Sequence, residues 1–149
     1  MKNYQEQILD LFGQFGEIHV HNDHKDVYIF NCMLKKVTKS KVLSSLGSIK
    51  YLIIVNESGR CIIVCFRVYT KGNDNDLLIV NDVNNAIDFG KFIIDKDGDI
   101  NWEYSFDLTC IDNDDIRQIL SDSIKGIELL AFLSIKNEKN EELKNEKNT

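Results

Sequence analysis

The stretch Phe92–Phe106, FIIDKDGDINWEYSF, sets three carboxylates around one glycine, between two runs in which apolar residues alternate. Two readings compete for it, a cation-binding loop and a β-hairpin. A helix–loop–helix calcium site takes ligands at positions one, three and five, glycine at six and a bidentate glutamate at twelve. Counting from Asp95, glycine falls at position four and position twelve is Phe106. The spacing therefore excludes that calcium loop. Asp97-Gly98 instead has the chemistry of a tight turn with positive φ at the glycine. Phe92 and Ile94 alternate before it, and Ile100, Trp102, Tyr104 and Phe106 after it. In this reading Asp95 and Asp99 flank the turn as solvated charges.

The same grammar extends outward. IKYLIIV (49–55) and CIIVCFRVY (61–69) are long β-branched runs on either side of NESGR, whose Ser-Gly makes the clearest central hairpin. Further upstream, Ile18, Val20, Val27 and Ile29 alternate around NDHK, which predicts another strand pair. Helical spacing governs the intervening segments. Tyr4, Ile8, Leu11, Phe12 and Phe15 trace one face of a first helix, with Gly13 and Gly16 marking its exit. A short helical turn is expected over Lys41 to Leu46. Ile79, Val80, Val83, Ala86, Ile87 and Phe89 trace a middle helix, with Asp76 as its cap and Gly90 as its end. Asp112 or Asn113 then caps a last helix carrying Ile116, Ile119, Leu120, Ile124 and Ile127 on one stripe. Within it, Gly126 costs about 1 kcal/mol against alanine and predicts a bend. Leu129, Leu130, Phe132 and Leu133 carry the apolar surface around more than one face, the pattern of an oligomer interface.

This order predicts an α+β fold: an antiparallel sheet with an N-terminal, a middle and a C-terminal helix packed on one side. Residues 1–135 form a single domain, and 136–149, KNEKNEELKNEKNT, form a polar and flexible tail that either frays or extends the last helix into solvent. At 149 residues, 43% hydrophobic and 28% charged, the chain suits one ordinary globular core. No run approaches the roughly 18 apolar residues of a membrane helix, and MKNYQEQILDLFGQFG lacks the apolar core of a signal peptide, so a cytoplasmic location is expected. The net charge of −6 disfavours nucleic acid and anionic membranes as partners. The basic run LKKVTKSKV (Leu34–Val42) has no interleaved aromatic residue to stack on bases and reads as a solvated connector.

Candidate chemistry is sparse. Cys32, Cys61, Cys65 and Cys110 lie among apolar residues and read as reduced thiols. Cys61 and Cys65, four apart on a strand, stand about 13 Å apart and cannot share one metal. His19 and His21 fall two apart on a strand, with Asp23 and His24 following, the beginning of a zinc or copper set. Ile18 and Val20 take the opposite, core-facing side, which leaves the histidines where solvent-facing residues belong. No nucleophile elbow, phosphate-cradling glycine loop or helical zinc motif is present, so no catalytic, cofactor-binding or metal residue is assigned.

Leu77–Leu108, LLIVNDVNNAIDFGKFIIDKDGDINWEYSFDL, resembles the YbjN family, whose members share a fold with type III secretion chaperones. Asn81 and Asn84 match its N-x-x-N element, Gly90, Lys91 and Phe92 its G-K-F strand start, and Asp97 and Gly98 its acidic turn. The following DNDDIRQILSDSI looks like the family's closing helix. The resemblance covers about the last half of the chain and brings no catalytic residues. It implies a chaperone-like or regulatory module that forms a homodimer and holds a segment of a partner protein. An acidic surface favours a basic partner. A small acidic immunity or antitoxin protein that neutralises a basic toxin is the alternative. A metal-dependent hydrolase built on His19 and His21 is the third reading.

Overall fold

A computed structural model describes residues 4–21, 26–69 and 75–147. Its centre is a six-stranded, wholly antiparallel sheet. In chain order the strands are β1 (Gly16–Val20), β2 (Val27–Met33), β3 (Ser48–Val55), β4 (Arg60–Tyr69), β5 (Lys91–Ile94) and β6 (Ile100–Asp107). The helices are α1 (Gln5–Phe12), α2 (Lys41–Ser44), α3 (Asp76–Ala86) and α4 (Asn113–Lys147). Spatial order in the sheet is β1-β2-β3-β4-β6-β5. Three sequential hairpins are thus joined so that β6, not β5, lies against β4.

The period-two pattern of each strand divides the sheet into two faces. Tyr28, Phe30 and Cys32 of β2, Tyr51, Ile53 and Val55 of β3, Cys61, Ile63 and Cys65 of β4, Phe92 of β5, and Ile100, Trp102 and Phe106 of β6 point to one side and are all buried. Against them pack Tyr4, Ile8, Leu11 and Phe12 from the first helix and its approach, Ile79, Val80 and Val83 of α3, and Ile116, Ile119, Leu120 and Leu130 of α4. An aromatic chain runs through this core, from Phe12 on Phe30 (5.3 Å) to Phe30 on Tyr51 (6.0 Å) and Tyr51 on Trp102 (5.9 Å). The Tyr51 hydroxyl reaches Ser123 of α4 at 3.0 Å, the buried polar tie between sheet and helix.

The β3–β4 and β5–β6 hairpins use one device. In each, a three-residue loop ends in a left-handed glycine, Gly59 (φ +86°) and Gly98 (φ +84°). The residue before the loop, Asn56 or Asp95, accepts from the backbone N–H groups two and four positions on with one side-chain oxygen. Asn56-Glu57-Ser58-Gly59-Arg60 and Asp95-Lys96-Asp97-Gly98-Asp99 are therefore the same turn, a type I turn closed by a glycine bulge. The turn expected at Asp97-Gly98 is present, but Asp95 is a hydrogen-bond acceptor built into it rather than the purely solvated charge expected from sequence. Asp95 also accepts from the Asn101 amide at 3.1 Å, and Asp99 pairs with Arg67 at 3.5 Å. Partial burial on its own raises the Asp95 pKa. The Asp99 N–H, the Asn101 amide, the Asp97 N–H and the Arg67 guanidinium outweigh it and hold the carboxyl below the ordinary range.

Nothing lies within 4 Å of a Cβ added at Gly98, so Gly98→Val is expected to cost the left-handed strain of about 1–2 kcal/mol plus the crowding of a β-branched side chain at positive φ. Asp95→Asn keeps the accepting oxygen, as Asn56 does in the sister turn, and is expected to change a neutral-pH thermal melt far less; Asp95→Ala removes the acceptors and falls between. A folded pKa below the unfolded one stabilises at pH above the ordinary carboxylate value and loses that contribution as pH falls through the folded value. The wild-type advantage over Asp95→Asn should therefore narrow in melts below about pH 4.

Helix boundaries shift by small amounts with clear causes. Asn75, not Asp76, occupies the cap position of α3, and Asp76 is a buried first-turn residue. The helix stops at Ala86, so Ile87 and Phe89 pack from the connector, and Gly90 (φ +75°) opens β5 rather than ending the helix. Asp112 and Asp115 form a reciprocal capping box at α4: each carboxylate accepts the other residue's N–H, at 2.9 and 3.0 Å. Gly126 marks no break in α4. It is buried where an added Cβ would meet the Phe92 ring at 2.6 Å, so its role is close approach of the helix to the sheet. Residues 136–147 continue α4, and Glu138 and Glu141 accept from the Tyr69 hydroxyl and the Asn75 amide.

Candidate functional site

Since α1, α3 and α4 cover one face of the sheet, the other face is left to the side chains that point away from them. Following the pairing register, one row across it runs His19, Ile29, Leu52, Val64, Glu103, Lys91. The next runs Val27, Ile54, Ile62, Ser105. Phe66 extends the apolar set beyond Val64. The middle of the face is thus built from β-branched and aromatic residues, not from the polar residues that an open antiparallel face usually carries. Phe66 is 56% exposed, Ile62 39% and Ile54 37%, while Val64 between them is only 7% exposed because its neighbours enclose it. Apolar groups that large and contiguous on a sheet, with no described helix or strand over them, mark an interaction surface.

Position on this face follows from local chemistry. β4 is straight from Arg60 to Cys65, then its register shifts before Tyr69. At the shift Arg67 is left-handed (φ 52°), its N–H donates to the Asn101 side chain at 2.8 Å, and its guanidinium meets Asp99. Bulges re-aim the side chains beside them, and Phe66, next to Arg67, is among the most exposed apolar residues of the sheet. At the far edge, the Asn84 side chain on α3 accepts from the Phe92 N–H at 2.7 Å and donates to the Phe92 carbonyl at 3.0 Å. One amide thereby substitutes for a neighbouring strand and closes that edge of β5. Asn81, the other asparagine of the N-x-x-N element, is exposed.

A cleft lies at one corner of the open face, lined by Glu17, Asn31, Met33, Lys35, Ser44 and Ser48. Glu17 and Asn31 face one another across β1 and β2, and Asn31 faces Lys50 on β3. Beyond the cleft, Leu46 at the end of α2 is 70% exposed.

The residues singled out for chemistry are dispersed. His19 is on the open face at the β1 edge, 3.8 Å from Glu17. β1 ends at Val20, and the His21 N–H donates to the Val27 carbonyl. Asp23 and His24 lie outside the described residues. Among the described residues, no three His, Cys, Asp or Glu side chains come together as a metal set. Val20 pairs with the buried Tyr28 on the core side, as expected, but at the end of β1 it is exposed. Cys32, Cys61 and Cys65 line the buried face, where burial pushes each thiol up to about 12 and keeps it protonated at neutral pH. Cys110, although it too lies among apolar residues in the sequence, is exposed in the turn after β6. On α4, Leu130 is buried, Leu129 and Leu133 are half-buried, and Phe132 is exposed. Among the described residues, no helix is long and apolar enough to cross a membrane.

Alternation within a single strand does not reveal the open face; the pairing register of β3 with β4, together with the side the helices take, does. Leu52 and Ile54 on β3, and Ile62 and Val64 on β4, are apolar at the positions where a solvated face would carry polar residues. A scan against models of known protein families gives no match, and a search of curated proteins gives none.

Proposed function

We propose that the protein is a non-catalytic, protein-binding module that holds a segment of a partner polypeptide on the open face of its sheet. The observation that carries this reading is the apolar centre formed by Ile54, Ile62 and Phe66 around Val64, over which no described helix lies. The YbjN resemblance of Leu77–Leu108 points the same way, toward a chaperone-like or regulatory role in the cytoplasm. Its matched residues have structural duties: Asn84 secures Phe92, and Gly90 accommodates Trp102. The raised pKa values of the buried Cys32, Cys61 and Cys65 thiols favour binding over nucleophilic chemistry at those residues.

A photo-crosslinking residue placed at Ile62 or Phe66 in the full chain, expressed in its native host, tests the assignment. The expected result is a crosslink from both positions to one polypeptide other than this chain, with none from Asp82, exposed on α3. Crosslinks from Asp82 alone, or none from the sheet face, would overturn it.

We propose further that the chain forms a homodimer, and the exposure of Phe132, Ile135 and Leu143 on the outer stripe of α4 supports that face as the contact. Residues 136–147 around that stripe carry four lysines and four glutamates, a neutral set that suits antiparallel pairing of two copies. A dimer by light scattering that becomes a monomer in Phe132→Glu is the expected outcome; a wild-type monomer removes this element.

A further inference from the structure

The net charge of −6 suggests a basic partner, but the distribution of that charge suggests the opposite at the open face. From Val27 to Asn56 the chain has no Asp, Glu or Arg and has five lysines, Lys35, Lys36, Lys39, Lys41 and Lys50. These contribute +5 to a total of −6, so the remaining residues carry −11. The fold gathers the basic segment at one pole: the end of β2, α2 and the start of β3. All five lysines are exposed, and none forms an ion pair among the described residues.

That pole adjoins the apolar centre. Lys50 projects from the open face beside Asn31, Lys35 lines the cleft, and Lys41 begins the short helix whose Ser44 also lines it. Ile29 and Leu52 stand two residues along their strands from Asn31 and Lys50, about 7 Å away. Cationic side chains and cleft hydroxyls therefore lead into an apolar surface within the span of a few extended residues. Among the described residues, Glu17 is the one carboxylate lining the cleft.

We propose that the segment held on the open face is acidic and apolar: carboxylates seat at the Lys35/Lys50 corner while neighbouring apolar side chains cover Leu52, Val64 and Phe66. This rests on the reading that the face holds a polypeptide, and it specifies that polypeptide's chemistry. Lysines supply point charges rather than the bidentate forks that read phosphate or bases, and no aromatic residue stands among them as a stacking platform, which favours a peptide over RNA. The −11 carried by the rest of the chain opposes approach to an anionic bilayer.

Three fluorescein-labelled synthetic peptides of equal length test it against the full chain by fluorescence anisotropy: one alternating glutamate with leucine and phenylalanine, its lysine counterpart, and a glutamate–serine control. The acidic apolar peptide should bind at least about tenfold more tightly than the other two and weaken several-fold between about 50 and 300 mM salt. Lys35→Glu with Lys50→Glu should abolish that preference while the circular dichroism spectrum and melt stay unchanged. Equal or tighter binding of the lysine peptide overturns the proposal. So does lysine-dependent binding of phosphatidylserine vesicles or polyuridylate without binding of the acidic apolar peptide. A Phe66 crosslink to a basic segment would also overturn it, yet leave the protein-binding function standing; absence of any crosslink from the face would remove that function itself.

Discussion

Trp102→Ala is expected to lower stability by about 3–5 kcal/mol, the range for deleting a fully buried large aromatic side chain. Trp102 is completely buried on β6, paired with Cys65 on one side and Phe92 on the other, so the cavity would open in the middle of the sheet. It meets Tyr51 edge-on, at an interplanar angle of 80°, and Tyr51 in turn reaches Ser123 on α4. Removing the indole also frees the Phe89 carbonyl, which accepts from Trp102 Nε1 at 3.2 Å. Trp102→Phe retains most of the ring volume and should cost clearly less. Because Trp102 is the sole tryptophan, urea unfolding has to be followed by far-ultraviolet circular dichroism rather than indole fluorescence. A Trp102→Ala protein within about 1 kcal/mol of wild type would contradict this core assignment.

The hairpin that contains Trp102 was legible in the sequence because alternation and turn chemistry agreed there. Asp95-Lys96-Asp97-Gly98 specified the turn, and the alternating apolar residues on either side specified the inward face. The same agreement made α1 and the α4 stripe readable: Tyr4, Ile8, Leu11, Phe12 and Phe15 are all buried, as are Ile116, Ile119, Leu120 and Ile124. Long-range decisions were not legible. Nothing in the local pattern says that β6 lies next to β4, since that pairing joins residues such as Cys61 and Phe106 far apart in the chain. Asn84 reads as a helix-surface polar residue in sequence because its partner, the Phe92 backbone, is defined only after α3 folds over β5.

The candidate face is hidden for a related reason. Val64 and Cys65 are adjacent and both buried, yet they belong to opposite sides of the sheet. A continuous apolar run such as CIIVCF fits a strand buried on both faces equally well. Only the absence of any described helix over Leu52, Ile62 and Phe66 separates a second core from an exposed binding surface. Charge misleads in a similar way. The overall −6 averages over a basic pole and an acidic remainder, and a partner meets the local surface.

Gly90→Ala is expected to cost about 3 kcal/mol, combining left-handed strain of about 1–2 with overpacking of about 1–3 kcal/mol. At Gly90, φ is +75°, and an added Cβ would sit 2.6 Å from both the Glu103 carbonyl oxygen and Trp102 Nε1. The backbone oxygen belongs to a paired strand and cannot rotate away, so relief requires β5 to move from β6. That movement also pulls Phe92 from the Asn84 amide, loosening the edge that this side chain closes. Gly98→Ala is the internal control: its φ of +84° imposes similar strain, but its Cβ would meet nothing within 4 Å. The difference between the two alanine variants therefore reads the close approach alone, and urea midpoints should place Gly90→Ala at least about 1 kcal/mol below Gly98→Ala. Equal losses would mean that β5 enters the sheet without the tight contact among Gly90, Glu103 and Trp102.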